Sequence, residues 1–130
     1  MQPSLWIQVA IVAVAGAVGA LARWGLASLV QSTFGPQWPW GTFAVNVLGC
    51  LLFGFVFEAT RSLEQGAVIW RLMWLTGFAG AFTTFSTLAF ESHQLLLADR
   101  GGFWCSLNLA SHIVLGLAAI TIGMALGRTL

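Results

Sequence analysis

Four apolar runs, at roughly 5–30, 41–60, 68–97 and 103–127, occupy most of this 130-residue chain. Each reaches the ~20 residues that a helix needs to cross the hydrocarbon core of a bilayer. The runs show no period-2 alternation, so they do not read as the strands of a membrane β-barrel. The connecting segments are short and polar. "QSTFGPQWPWG" carries Gly and Pro turn chemistry, followed along the chain by "TRSLEQGA" and "DRGG". The expected architecture is therefore all-α: one transmembrane domain, 1–130, of four helices. No segment remains for a soluble domain, so function must reside inside the membrane.

Charge supports this reading. The chain contains no Lys, and its charged residues are Arg23, Arg61, Arg71, Arg100, Arg128, Glu58, Glu64, Glu91 and Asp99. So few charges cannot cover a soluble surface. A net charge of +1 offers no basic patch for nucleic acid. The opening residues lack a positive region, and the first apolar run is too long for a cleaved leader. Cys50 and Cys105 lie within apolar runs and read as structural thiols. Trp38, Trp40, Trp70, Trp74 and Trp104 sit near expected span ends, as interfacial aromatics do.

Orientation is weakly encoded. With four spans, the side holding the termini and the second linker carries Arg61, Arg71 and Arg128. The other side carries Arg100, with Arg23 near the end of the first span. Three against two is a poor positive-inside signal, compatible with a fixed orientation or with copies inserted both ways. Gly16 and Ala20, and Gly123 and Gly127, form small-xxx-small pairs that permit close helix approach. Four short helices enclose little interior, so a solute pathway is expected to need a second copy. The alternative is a monomer whose glycines pack only its own helices.

Polar residues within the spans carry the functional signal, because an unpaired polar group in hydrocarbon costs roughly 2–7 kcal/mol. Thr42, Asn46, Gly49 and Phe53 share one face of the second span. Asn46 brings two N–H donors and a carbonyl, fit either for a solute or for an interhelical bond. The third span reads "GFAGAFTTFSTLAFE" over 77–91, with Gly77 and Gly80 ahead of Thr83, Thr84, Ser86 and Thr87. Glycines and hydroxyls at membrane depth predict a broken helix, which is tolerated only where protein or water satisfies the backbone. Bonding of hydroxyls to the carbonyl four residues earlier would account for one or two of these side chains, but not for four among five residues. In the fourth span Asn108, His112 and Gly116 form a polar stripe, open to a packing role or a pathway role. His93 is expected near an interface.

Three segments, "GAVGALARW" (16–24), "GTFAVNVLG" (41–49) and "GFAGAFTTFST" (77–87), resemble the signature segments of the Fluc/CrcB fluoride channel family, in order and at matching spacing. The resemblance covers essentially the whole chain. It implies a passive fluoride channel in the bacterial inner membrane, built as an antiparallel, dual-topology homodimer. That dimer has two fluoride pathways and a structural sodium ion at its centre. Carried over by position, Asn46 matches a pore-lining asparagine, and Phe85 matches the first of two phenylalanines whose ring edges face fluoride. Ser86 and Thr87 match the neighbouring hydroxyls, Thr42 and Glu91 match polar positions along the pathway, and Arg23 matches the arginine of the first segment. Gly80 and Thr83 match positions whose backbone carbonyls hold sodium. The chain departs at Leu88, where the family pattern has its second phenylalanine.

The chemistry of the residues agrees with a fluoride pathway. Fluoride is small and tightly hydrated, so a pathway must replace water's donors. Amide N–H, hydroxyl O–H and the positive edge of an aromatic ring supply them. A small four-helix multidrug exporter is the principal rival, but it needs a carboxylate deep in a span, for which only Glu91 is available. A structural membrane subunit would make the polar residues mere glue. An intramembrane hydrolase is the least favoured rival, since Ser86 and His93 lie about 10 Å apart along one helix, too far for a nucleophile–base hydrogen bond.

Overall fold

A computed structural model describes residues 3–63 and 66–129, and the expected membrane crossings are helical apart from an interruption in the third. Helix α1 spans Leu5–Phe34, α2 Trp40–Ala59 and α6 Gly101–Gly127. The third crossing, 67–96, is composite. It comprises α3 (Ala67–Arg71), a π-helical segment (Leu72–Ala79), α4 (Gly80–Phe82) and α5 (Phe85–Leu96). All four crossings are long and apolar enough to span a bilayer. The four expected membrane-length helical segments are therefore observed. Helix α1 overruns its expected end because Gln31, Ser32 and Thr33 continue the helix, the latter two bonding back to Leu29 O. At 30 residues α1 is about 45 Å long, more than the hydrocarbon thickness, which favours a tilted crossing.

The first connection is fixed by one side chain. Gln31 Nε2 donates to Gly35 O (2.6 Å) and Trp38 O (3.0 Å), while Gln31 Oε1 accepts from Gly41 N (3.0 Å). Gly35, at φ 86°, provides the left-handed turn that lets the chain reverse. Trp38 is thereby held down against Phe43 and His112, with ring centroids at 5.1 and 6.4 Å.

Helix packing rests on backbone approach. Gly54 meets Ile120, Gly123 meets Leu51 and Phe55, and Gly127 meets Phe55 and Ala59, so α2 and α6 are pressed together along their lengths. Gly19 and Gly77 do the same for α1 and the π segment, with Gly77 lying against Ala15 and Val12. Four apolar helices gain no hydrophobic driving force in lipid, so such close van der Waals contact has to hold them. Within one chain, Gly123 and Gly127 serve intramolecular packing, and among the glycines of α1 the closest approach is made at Gly19. The Gly123–Gly127 pair is thus accounted for by packing within one chain.

A methyl group at Gly123 would collide with Leu51 O and Phe55 N, which is backbone that cannot move aside. Gly123→Ala is expected to lose about 1–3 kcal/mol of stability. Gly25→Ala, which meets nothing, should be neutral or slightly stabilising. Unfolding of the two variants in detergent, followed by tryptophan fluorescence, checks the contrast.

Candidate functional site: a helix break held by an amide

The third crossing changes direction at two residues. Thr83 (φ −85°, ψ 158°) and Thr84 (φ −149°, ψ 116°) are extended between α4 and α5. Sequence reasoning located the weakness at Gly77 and Gly80. Both are helical, Gly77 within the π segment and Gly80 at φ −61°, ψ −34°. Gly77 is small because α1 packs on it, and the interruption falls at the threonines instead.

An interruption inside a membrane strands the last carbonyls of one helix and the first N–H groups of the next. Thr83 N still reaches Ala79 O (3.0 Å), and Thr83 Oγ1 adds a second donor to the same carbonyl (2.9 Å). Thr84 N, which in a continuous helix would bond Gly80 O, is diverted to Asn46 Oδ1 (2.8 Å). Asn46 Nδ2 in turn donates to Thr84 O (3.1 Å). The amide of α2 thus takes both backbone groups of Thr84, as a neighbouring strand would. Gly49, one turn on from Asn46, lies directly against the Thr83 methyl, so α2 has room for the break only because it lacks a side chain there.

The break also starts the next helix. Thr84 is the N-cap of α5, its hydroxyl accepting from Thr87 N (3.2 Å). The same hydroxyl lies 2.9 Å from Thr87 Oγ1 and 3.3 Å from Ser86 Oγ, so three hydroxyls form one connected group. Of the four hydroxyls in this segment, only Thr83 follows the simple back-bonding pattern.

The remaining expected site residues fall into distinct places. Phe85 projects outward with 80% of its surface exposed, and Ser86 and Gly80 are exposed beside it. Leu88 is buried inside the chain, on the same face as Thr84 and Ser92. Further along, Thr42 Oγ1 donates to Glu91 Oε1 (2.8 Å), tying α2 to α5 a turn beyond Asn46, while Glu91 Oε2 has no partner among the described residues. Arg23 is half-buried on α1 and makes no hydrogen bond or ion pair among the described residues. Asn108 and His112, whose role the sequence left open, are buried. Asn108 Nδ2 donates to Ser92 Oγ (3.0 Å), and His112 Nδ1 donates to Asn108 O (2.9 Å). Asn108 joins α6 to α5, His112 packs on Trp38 and Phe43, and both stand apart from the Asn46–Thr84 pair.

Residues 10–124 match the family described as "CrcB-like protein, Camphor Resistance (CrcB)". The chain belongs to this family. It is 49% identical to a protein of Solidesulfovibrio magneticus over 90% of this chain and 93% of the relative. It is 45% identical to one of Nitratidesulfovibrio vulgaris, over 93% and 97% respectively. A protein of Nitrosococcus oceani is 42% identical over 95% and 98%. All three relatives carry the name fluoride-specific ion channel FluC.

Because Asn46 satisfies both backbone groups of Thr84, Asn46→Ala leaves a buried donor and acceptor stranded. A loss of about 1–3 kcal/mol is expected. Asn46→Asp keeps the acceptor for Thr84 N but turns an oxygen toward Thr84 O in place of the donor, so its loss should be at least as large. Parallel denaturation of the two variants measures the difference.

Proposed function

We infer that this chain is a multi-pass membrane channel that lets fluoride leave the cell passively, in a bacterial host across the inner membrane. The observation that carries this is the break at Thr83–Thr84, pinned by Asn46, in a chain whose relatives are named fluoride channels. With one Nδ2–H given to Thr84 O, Asn46 keeps a second for a solute. Beside it stand the linked hydroxyls of Thr84, Ser86 and Thr87 and the ring edge of Phe85. These are donors without positive charge, able to replace the water around a small anion and still release it. Thr42, Glu91, Arg23 and Leu88 complete the proposed pathway. The Thr42 bond to Glu91 Oε1 restrains the carboxylate that would otherwise repel an anion.

The working unit is an antiparallel, dual-topology homodimer with two pathways. In its favour, α1 leaves Val14, Val18, Leu21 and Trp24 more than half exposed, and Phe85 and Ser86 have no cover from their own chain. A second copy would enclose them. The break also fits a structural sodium ion at the dimer centre. Diverting Thr84 N to Asn46 frees the Gly80 carbonyl, and Gly80 is exposed. Gly80 and Thr83 carbonyls would hold the ion, whose charge offsets the cost of an anion in low dielectric. An exporter of cationic drugs is not supported. Its one available mid-span carboxylate, Glu91, is engaged by Thr42, and the relatives are named as channels.

Fluoride efflux from liposomes, read with a fluoride electrode, tests the assignment. Wild type should conduct and Asn46→Asp should not, since a carboxylate then faces the anion. Efflux from Asn46→Asp equal to wild type would sink the reading.

Leu88→Phe should conduct, whereas Phe85→Ile should lose most flux because Phe85 is the only aromatic at the two positions where the family pattern has phenylalanine. Unchanged flux in Phe85→Ile would mean that ring edges take no part. An inactive wild type rescued by Leu88→Phe would mean that two aromatics are indispensable.

Dual topology is tested by tagging both termini and labelling from each side. About half of the tags should be accessible from either side, and uniform exposure on one side would refute the arrangement. Adding three Lys to the second linker should bias insertion and make flux depend on an oppositely biased partner.

A further inference from the structure

Two pockets meet at the end of the bundle where α2 and α6 finish. One, of about 380 Å³, is lined by Glu58, Ala59, Arg61, Ser62, Gly127 and Arg128. The other, of about 420 Å³, is an apolar groove whose walls include Leu52, Phe55, Val56, Leu63, Trp70 and Trp74. Ala59 lines both, so the polar pocket and the apolar groove adjoin at the end of α2.

Among the described residues the polar pocket pairs two cations with one anion. Glu58 Oε1 accepts from Arg61 Nη1 (3.3 Å) and forms an ion pair with Arg128 Nε (3.4 Å), and the Glu58 side chain is almost wholly buried. One carboxylate faces two guanidiniums, whose side chains remain 69% and 64% exposed, so most of their N–H donors point away from it. The carbonyl end of α2 does not need them. Arg71 already serves it, donating from Nε to Thr60 Oγ1 (3.0 Å) and from Nη2 to Thr60 O (3.4 Å), with its guanidinium 5.1 Å from the centre of the Phe57 ring. Trp70 and Trp74, one turn apart, line the groove with amphipathic rings of the kind that settle at the membrane–water interface.

We propose that this end of the protein binds an anionic phospholipid, with the phosphate at Arg61, Ser62 and Arg128 and one acyl chain along the Trp70–Trp74 groove. Guanidinium forks match phosphate oxygens, and the Ser62 hydroxyl adds a donor. Basic pockets at the ends of transmembrane helices select anionic headgroups by this charge, while the groove supplies apolar cover that a soluble phosphate cannot use. The site lies away from the Asn46–Thr84 break and does not depend on which ion the chain conducts.

Native mass spectrometry of the full-length protein, released from micelles containing equal phosphatidylglycerol and phosphatidylcholine, tests this. Phosphatidylglycerol should be retained preferentially. Arg61→Gln and Arg128→Gln should each lower that preference about fivefold, the effect of one cationic side chain at a membrane surface. Either arginine alone can still accompany Glu58, so both variants are expected to fold. Equal retention of the two lipids, or a preference unchanged in both variants, overturns the proposal. Displacement of the lipid by millimolar glycerol phosphate would reduce the site to an anion pocket and also overturn it. A shift in oligomer distribution without a change in lipid retention would mean that a second copy covers this face.

Discussion

The Asn46–Thr84 pair is the interaction on which the centre of this protein depends. A backbone that leaves helical geometry inside a membrane has no water to turn to, and each stranded group costs several kcal/mol. Here the α2 amide supplies one acceptor and one donor at 2.8 and 3.1 Å. Everything around the break follows from that bond pair. Gly49 must be small so that α2 can approach Thr83, Thr84 must be extended to present both groups, and its free hydroxyl then caps α5. The residue types in "TTFST" are thus fixed first by backbone chemistry. Their availability as a lining is a consequence.

The rest of the bundle holds α2 in place to make this possible. Gly54, Gly123 and Gly127 lock α2 against α6, while Thr42 and Asn108 join α2 and α6 to α5 through Glu91 and Ser92. Gln31 fixes the start of α2 through Gly41. Arg71 fixes its end through Thr60. The helix that carries the amide is therefore pinned at both ends and along one side. An amide must be placed within a few tenths of an ångström to satisfy two backbone groups at once, and this rigidity provides it.

The four crossings were legible in the sequence because span length and apolarity are set by the bilayer itself. Asn46 and the hydroxyl cluster stood out for the same reason, being costly where they lie. What each does locally was less legible. Gly77 and Gly80 looked like the break, yet Gly77 marks contact with α1, since a missing side chain signals close approach as readily as weak helicity. The π-helical stretch Leu72–Ala79 has no period that a local pattern could reveal. The partner of Asn46 lies 38 residues away, and that of Asn108 lies 16 away. Such pairings depend on the register between helices, which composition and spacing do not encode. The family resemblance located the residues, but it did not state that Asn46 clamps a backbone.

The two faces of α5 explain how this chain can depart from the pattern at Leu88. Thr84, Leu88 and Ser92 are four residues apart, and all three are buried against the chain's own helices. Phe85 and Ser86 point the other way, with Phe85 at 80% exposure. A side chain at position 88 is first a packing element, and there Leu fills apolar volume much as Phe would, at the loss of a ring edge. A side chain at position 85 has no packing partner within the chain, so its identity is free to be set by whatever approaches from outside. Of the two family positions, the aromatic retained is the one that an external surface or a passing ion can reach.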